Sequence, residues 1–220
     1  IAPWNFPVMT PMRKLVPALA FGNAILLKPS EFTPAAACML GEIGRELLPP
    51  GLLQILHGGP LVGDMLVRHG AVQRVTFTGS VSTGRKILAA TASNLAEAAL
   101  ELGGKNAAVV HDTDDIERCL DQVAQAAWLC SGQRCTAVSR VLVRAGLVDE
   151  LVDGLSGRAN ALALGNGALP DTQLGPITHA SQLAHIEALV ASGIEEGAKL
   201  AAGGKRVTVP GCEGGHFFAP

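Results

Sequence analysis

Apolar residues recur along the chain in two alternating rhythms. Short aliphatic and β-branched runs occupy residues 23–27, 52–56, 74–77, 98–101, 106–110 and 138–143, and they read as strands. Between and after them lie stretches whose apolar positions fall three and four apart, at 61–68, 81–90, 116–130, 147–162 and 180–196, with a further helix opening at Thr33-Pro34. That pair predicts a capping hydroxyl followed by a proline in the first turn. The acids Asp112, Asp114 and Asp115 precede the 116–130 stretch, where they complement a helix N-terminus. Short strands alternating with longer helices require crossover connections, so the predicted class is α/β, with a parallel sheet covered on both faces. The Gly/Asn/Pro-rich stretch 165–176 reads as a connection, the glycine-rich tail as irregular, and Gly103-Gly104 as the domain boundary.

Composition agrees with a well-covered sheet. Charged residues make up 16% of the 220, against a usual ~25%, and mean hydropathy is +0.32. The formal net charge is −2 and Lys and Arg form no block, so neither nucleic acid nor an anionic membrane is an expected partner. No apolar run reaches the ~18 residues of a membrane span, and no basic-then-apolar leader opens the chain. The opening Ile1-Ala2-Pro3-Trp4-Asn5-Phe6-Pro7 and the closing Phe217-Phe218-Ala219-Pro220 read as the interior of a longer polypeptide. Five cysteines, an odd set without C-x-x-C, and six scattered histidines argue against disulfides and a structural metal, and fit a reducing, cytoplasmic setting.

Several positions carry candidate chemistry. Cys135, in Ser131-Gly132-Gln133-Arg134-Cys135-Thr136, sits on the joint between the 116–130 helix and the 138–143 strand. Arg134 and free backbone N–H groups would favour its thiolate, and a small buried hydrophobe is the equally weighted alternative. Cys130, on the apolar helix face, reads as such a hydrophobe. The turn Gly79-Ser80-Val81-Ser82-Thr83-Gly84 follows a strand and opens a helix, so it either holds a phosphate or is an ordinary turn capped by Ser80 or Ser82. Lys28-Pro29-Ser30-Glu31 ends an earlier strand with a cation and a carboxylate, suited to ribose hydroxyls or to a solvated turn. A carboxylate there would repel a 2′-phosphate, favouring NAD over NADP. Glu101, before two glycines, is a general base, a ribose-binding acid or a surface acid. Asn5 is an oxyanion donor or a partner for local backbone.

Pro3-Trp4-Asn5-Phe6-Pro7, Lys28-Pro29-Ser30-Glu31, Glu101-Leu102-Gly103-Gly104-Lys105 and Gly132-Gln133-Arg134-Cys135 occur together, with Phe77-Thr78-Gly79-Ser80 to Gly84 and Leu174-Gly175-Pro176 between and after them. This ordered set resembles the aldehyde dehydrogenase superfamily over essentially the whole chain. The resemblance implies a Rossmann-variant dinucleotide-binding domain over 1–102 and an α/β catalytic domain over 103–220, both partial. It implies that Cys135 is the nucleophile, that Asn5 and the Cys135 N–H form an oxyanion hole, that Glu101 activates the water that releases a thioester, and that Lys14 supports the site. It places Trp4, Lys28, Ser30, Glu31, Gly59, Gly63, Gly79, Ser80 and Gly84 around an NAD cofactor, with NADP as the alternative. The implied activity is oxidation of a small aldehyde, such as a semialdehyde, to its acid by a homo-oligomer. The alternative is a nucleotide-binding or assembly fragment that does not turn over. The family's second acidic motif, Glu-x-Phe-Gly-Pro, would follow Pro220, so the segment alone is expected to be inactive.

Overall fold

Each apolar run finds a strand partner in the computed structural model, which describes residues 1–220. The elements run α1 (Met9–Ala20), β1 (Ile25–Leu27), α2 (Pro34–Leu47), β2 (Leu53–Ile55), α3 (Pro60–Arg68), β3 (Arg74–Gly79), α4 (Val81–Thr91), β4 (Glu97–Leu102), β5 (Asn106–Val110), α5 (Ile116–Trp128), β6 (Val138–Val143), α6 (Val148–Ala161), α7 (Ala180–Glu195), β7 (Arg206–Val207) and β8 (Phe217–Phe218). β1 pairs with β2, β3 with β4 and β5 with β6, all parallel, while β7 and β8 pair antiparallel. The chain divides into two compact units, Ile1–Gly103 and Gly104–Pro220. No helix is long and apolar enough to cross a membrane.

In the first unit, α1 and α2 close over β1 and β2 through Ala2, Leu15, Leu27 and Ala37. Val67, Val75, Phe77, Ile87 and Ala90 form a second cluster from α3, β3 and α4. Residues 1 and 2 tie the two ladders together: Ala2 N donates to Lys28 O (3.0 Å) and Thr78 N to Ile1 O (3.3 Å). In the second unit, Val110, Leu120, Val123 and Leu151 join β5 to α5 and α6. Asp115 caps α5, accepting from Arg118 N at 3.0 Å.

Four departures from the sequence expectation have tertiary causes. First, α1 forms although it contains Pro11 and Pro17, because Pro11 and Leu15 are buried and tertiary packing outweighs proline's cost. Second, the Thr33 hydroxyl does not cap α2 but donates to Trp4 O at 3.3 Å, a partner twenty-nine residues away that no local rule anticipates. Third, the tail is not wholly irregular, since Arg206-Val207 meets Phe217-Phe218 in a short ladder around buried Phe217. Fourth, the β5–β6 ladder is covered on one face only: Ala108, Val110, Val141 and Val143 pack on the helices, while Val109 and Leu142 stand 72% and 54% exposed. Alternating burial is the period-two consequence of helices lying on a single side.

Leu120 is 2% exposed, and its side chain fills the space that a Cβ on Gly154 of α6 would need. Leu120→Ala should destabilise the second unit by about 3 kcal/mol. Denaturant unfolding measures this, and a loss below about 1 kcal/mol would refute Leu120 as the hinge of that core.

Candidate active site

In the first unit, the segments after β1, β2 and β3 carry the polar groups and glycines, and in parallel α/β units that edge is where ligands bind. Lys28 follows β1 and is only 4% exposed; its Nζ donates to Pro29 O at 2.7 Å and lies 3.8 Å from a Glu31 carboxylate oxygen. Burial lowers the Lys28 pKa, and the Glu31 charge and hydrogen bond pull it partly back. The Lys28 stem runs past α3 at Gly63, where a Cβ would sit 3.6 Å from Lys28 Cδ, while a Cβ on Gly59 would lie 3.9 Å from Glu31 Oε1. The structure therefore brings Lys28, Glu31, Gly59 and Gly63 together. Ser30 shapes the turn, its hydroxyl accepting from Phe32 N at 3.3 Å, and Trp4 is held by the Thr33 contact.

At the β3–α4 turn, Ser80 caps the helix by accepting from Thr83 N at 3.2 Å, which satisfies one of the N–H groups that open α4. Gly79 closes β3 against the Phe77 ring. Gly84 serves packing: a Cβ there would come within 2.7 Å of Leu102 Cδ2, so glycine lets α4 approach β4.

The β3–β4 register sets Thr78 beside Glu101. Lys14, from α1, donates to Thr78 Oγ1 at 2.7 Å and reaches Ile1 O at 3.4 Å. Burial lowers its pKa to about 8, against which the Glu101 charge acts to raise it. Lysine, hydroxyl and carboxylate thus share one end of the ladder. Asn5 lies half-buried in the turn before α1. Thr78 had no assigned role in the sequence; its place in the Phe77-Thr78-Gly79-Ser80 run was the available signal.

In the second unit, α5 stops at Trp128, two residues short of the expected end, and the chain enters a tight turn. Cys130 (φ 58°), Ser131 (φ 56°) and Gly132 (φ 66°) are all left-handed. Cys130 is exposed there and is not the buried helix residue that its apolar neighbours suggested: the reversal of φ takes it off the helix face. Ser131 Oγ donates to Gly175 O at 2.9 Å; Gln133 Nε2 donates to Pro176 O at 3.0 Å, and its Oε1 accepts from Thr178 N at 3.0 Å and Thr178 Oγ1 at 3.3 Å. The Leu174-Gly175-Pro176 motif is thereby explained as the brace of this loop. Arg134 turns back to α5, where Nη2 donates to Ala126 O at 2.8 Å and Gln125 O at 3.4 Å. It neutralises the helix's C-terminal carbonyls, a role that its sequence position did not announce. Cys135 is exposed at the end of the loop.

The sequence profile described as "Aldehyde dehydrogenase family" matches residues 1–220. The chain belongs to the aldehyde dehydrogenase family. It is 41% identical over 222 residues to the betaine aldehyde dehydrogenase of Bacillus subtilis (strain 168), covering 100% of this chain and 45% of that relative. To the betaine aldehyde dehydrogenase of Mesorhizobium japonicum it is 39% identical over 221 residues, again 100% and 45%. Among solved structures, betaine aldehyde dehydrogenase from Staphylococcus aureus in complex with NAD+ superposes with a TM-score of 0.95 at 37% identity, over 100% of this chain and 44% of that one. A lactaldehyde dehydrogenase does so with a TM-score of 0.92 at 39% identity, over 100% and 46%. The chain thus spans just under half the length of these family members, and its fold is theirs.

Lys14 gives a pH test of the first unit. Its pKa is about 8 in the fold against 10.5 ordinarily, so between those values the unfolded chain binds a proton that the folded chain lacks, and stability rises with pH. Lys14→Met should flatten that rise; Lys28, also depressed, leaves a remainder. Denaturant midpoints from pH 8 to 10 measure the slope, and equal slopes in both proteins would refute the burial of Lys14.

Proposed function

We propose that this chain carries the dinucleotide-binding part (1–102) and the nucleophile-bearing catalytic part (103–220) of an enzyme that oxidises an aldehyde to a carboxylic acid with NAD. The observation that carries the reading is Cys135: an exposed thiol at the end of a loop whose preceding residues are pinned to Gly175, Pro176 and Thr178. A thiol kept accessible on rigidly held backbone suits a nucleophile.

The first unit's residues fit the cofactor. Gly59 and Gly63 keep side chains out of the space beside Lys28 and Glu31, and the α4 N-terminus offers N–H groups to a phosphate. Lys28, Ser30, Glu31, Gly59, Gly63, Gly79, Ser80, Gly84 and Trp4 would hold it. Glu31 is exposed, and its negative charge would oppose a 2′-phosphate, supporting NAD over NADP. When bound, the nicotinamide supplies the hydride acceptor that turns the Cys135 adduct into a thioester.

The chain's own residues divide the remaining work. The Cys135 thiolate adds to the carbonyl carbon, and the carbonyl's π pair moves to oxygen. Asn5 and the Cys135 N–H stabilise that oxyanion. After oxidation, Glu101 takes a proton from water as the water attacks the thioester carbonyl; the C–S bond breaks, the thiolate leaves and the acid is released. Lys14, beside Thr78 and in the field of Glu101, holds a positive charge near that carboxylate. The named relatives act on betaine aldehyde and lactaldehyde, which supports a small aldehyde as substrate. Exposed Leu47, Leu88 and Leu95 support burial in a homo-oligomer, and five free cysteines support a reducing, cytoplasmic setting.

Absorbance from NADH, followed with an aldehyde panel on the full-length protein, tests the reading. Cys135→Ala should lower turnover on the order of 10³-fold or more, and near-native turnover would exclude Cys135 as nucleophile. Glu101→Gln should keep a first burst of NADH and slow later cycles by about 10²–10⁴-fold. Unchanged steady-state turnover would remove Glu101 from the role of base.

A further inference from the structure

We propose that Asn106 is a positioning residue for Cys135, an inference that rests on the reading of Cys135 as nucleophile. Asn106 opens β5. Its side-chain Nδ2 donates to Cys135 O at 2.6 Å and to Ala137 O at 3.1 Å, so both amide protons engage main-chain carbonyls of the loop entering β6. Ser139 Oγ returns a bond to Asn106 O at 3.3 Å.

The strand register explains why a side chain is needed. Asn106 pairs with Val138, but Ala107 pairs with Arg140, so the β5–β6 register shifts at this residue. Residues 135–137 lie upstream of β6, and the Asn106 carboxamide, at the first residue of β5, reaches the carbonyls of two of them.

The peptide on the other side of Cys135 is fixed as well, because Arg134 O accepts from Ala137 N at 3.2 Å. Peptide units are planar, so fixing the planes before and after a residue fixes the direction of its Cα–Cβ bond. In a trans peptide the N–H points opposite the C=O. The bond to Arg134 O therefore also directs the Cys135 N–H away from Ala137. Asn106 and the Arg134–Ala137 bond thus together set the direction of the Cα–Cβ bond that carries the sulfur.

Only a short carboxamide meets the requirement. Aspartate offers no donor when ionised and would face two carbonyl oxygens with a charge, serine offers one donor, and alanine none.

The test compares the full-length protein with Asn106→Ala, Asn106→Asp, Asn106→Ser and, as a core control from the same strand, Val110→Ala. Three quantities are measured: the thermal midpoint, the pH-dependent rate of iodoacetamide alkylation at Cys135 located by peptide mass mapping, and kcat and KM for NAD. Asn106→Ala should lower both the alkylation rate and kcat by about 10²-fold while KM for NAD stays within about twofold. Asn106→Asp should move the thiol's alkylation profile to higher pH, since a carboxylate in the loop disfavours the thiolate. Asn106→Ser should recover part of both rates, and Val110→Ala should lower the midpoint yet keep both rates at temperatures where it is folded. Wild-type rates in folded Asn106→Ala overturn the proposal, as does an equal loss of rate in Val110→Ala. Failure of the underlying reading is a separate result: oxidation that survives Cys135→Ala removes the nucleophile, whereas the alkylation rate reports the direction and reactivity of the thiol itself.

Discussion

The loop between α5 and β6 must hold two non-glycine residues, Cys130 and Ser131, in left-handed backbone. Each costs about 1–2 kcal/mol relative to ordinary conformations. Against this stand the bonds from Ser131 to Gly175, from Gln133 to Pro176, from Thr178 N to Gln133 and from Asn106 to the carbonyls of Cys135 and Ala137. At about 1 kcal/mol net apiece they offset the strain with little to spare. The loop therefore keeps its shape only while its surroundings hold it, and the exposed position of Cys135 follows from those surroundings.

The first unit meets a different constraint, the desolvation of cations. Lys14 and Lys28 both lie where burial works against their charge, and each has nearby oxygen: Thr78 and Ile1 O for the first, Pro29 O and Glu31 for the second. In each case an acid in the same unit, Glu101 or Glu31, counteracts part of the burial effect. Cations placed this way are sensitive to the charge of whatever binds beside them, which suits the edge of a parallel sheet, where ligands bind in α/β units.

The open face of the β5–β6 ladder and the exposed leucines of the helices bear on the low charge content. That low charge suggested a well-covered sheet in the interior of a longer polypeptide. In the structure, part of the apolar surface is enclosed by α5 and α6 and part is left outward, in a chain that spans just under half the length of the family members it matches. Composition reports how much surface is apolar and says nothing of which molecule covers it.

The sequence by itself determined most elements and their order. The β5 and β6 runs coincide with their strands, the acids at 112, 114 and 115 with the start of α5, and the six motifs with the family profile, because periodicity, charge placement and motif spacing are properties of neighbouring residues. Tertiary structure decided the rest: that α1 forms around two prolines, that Thr33 serves Trp4, that Cys130 leaves its helix face, that Arg134 turns to α5 and that Asn106 reaches residues 135 and 137. Each of these turns on a partner, a packing face or a φ that contacts within the fold select, and hydrogen bonds to distant carbonyls leave no periodic trace in the chain.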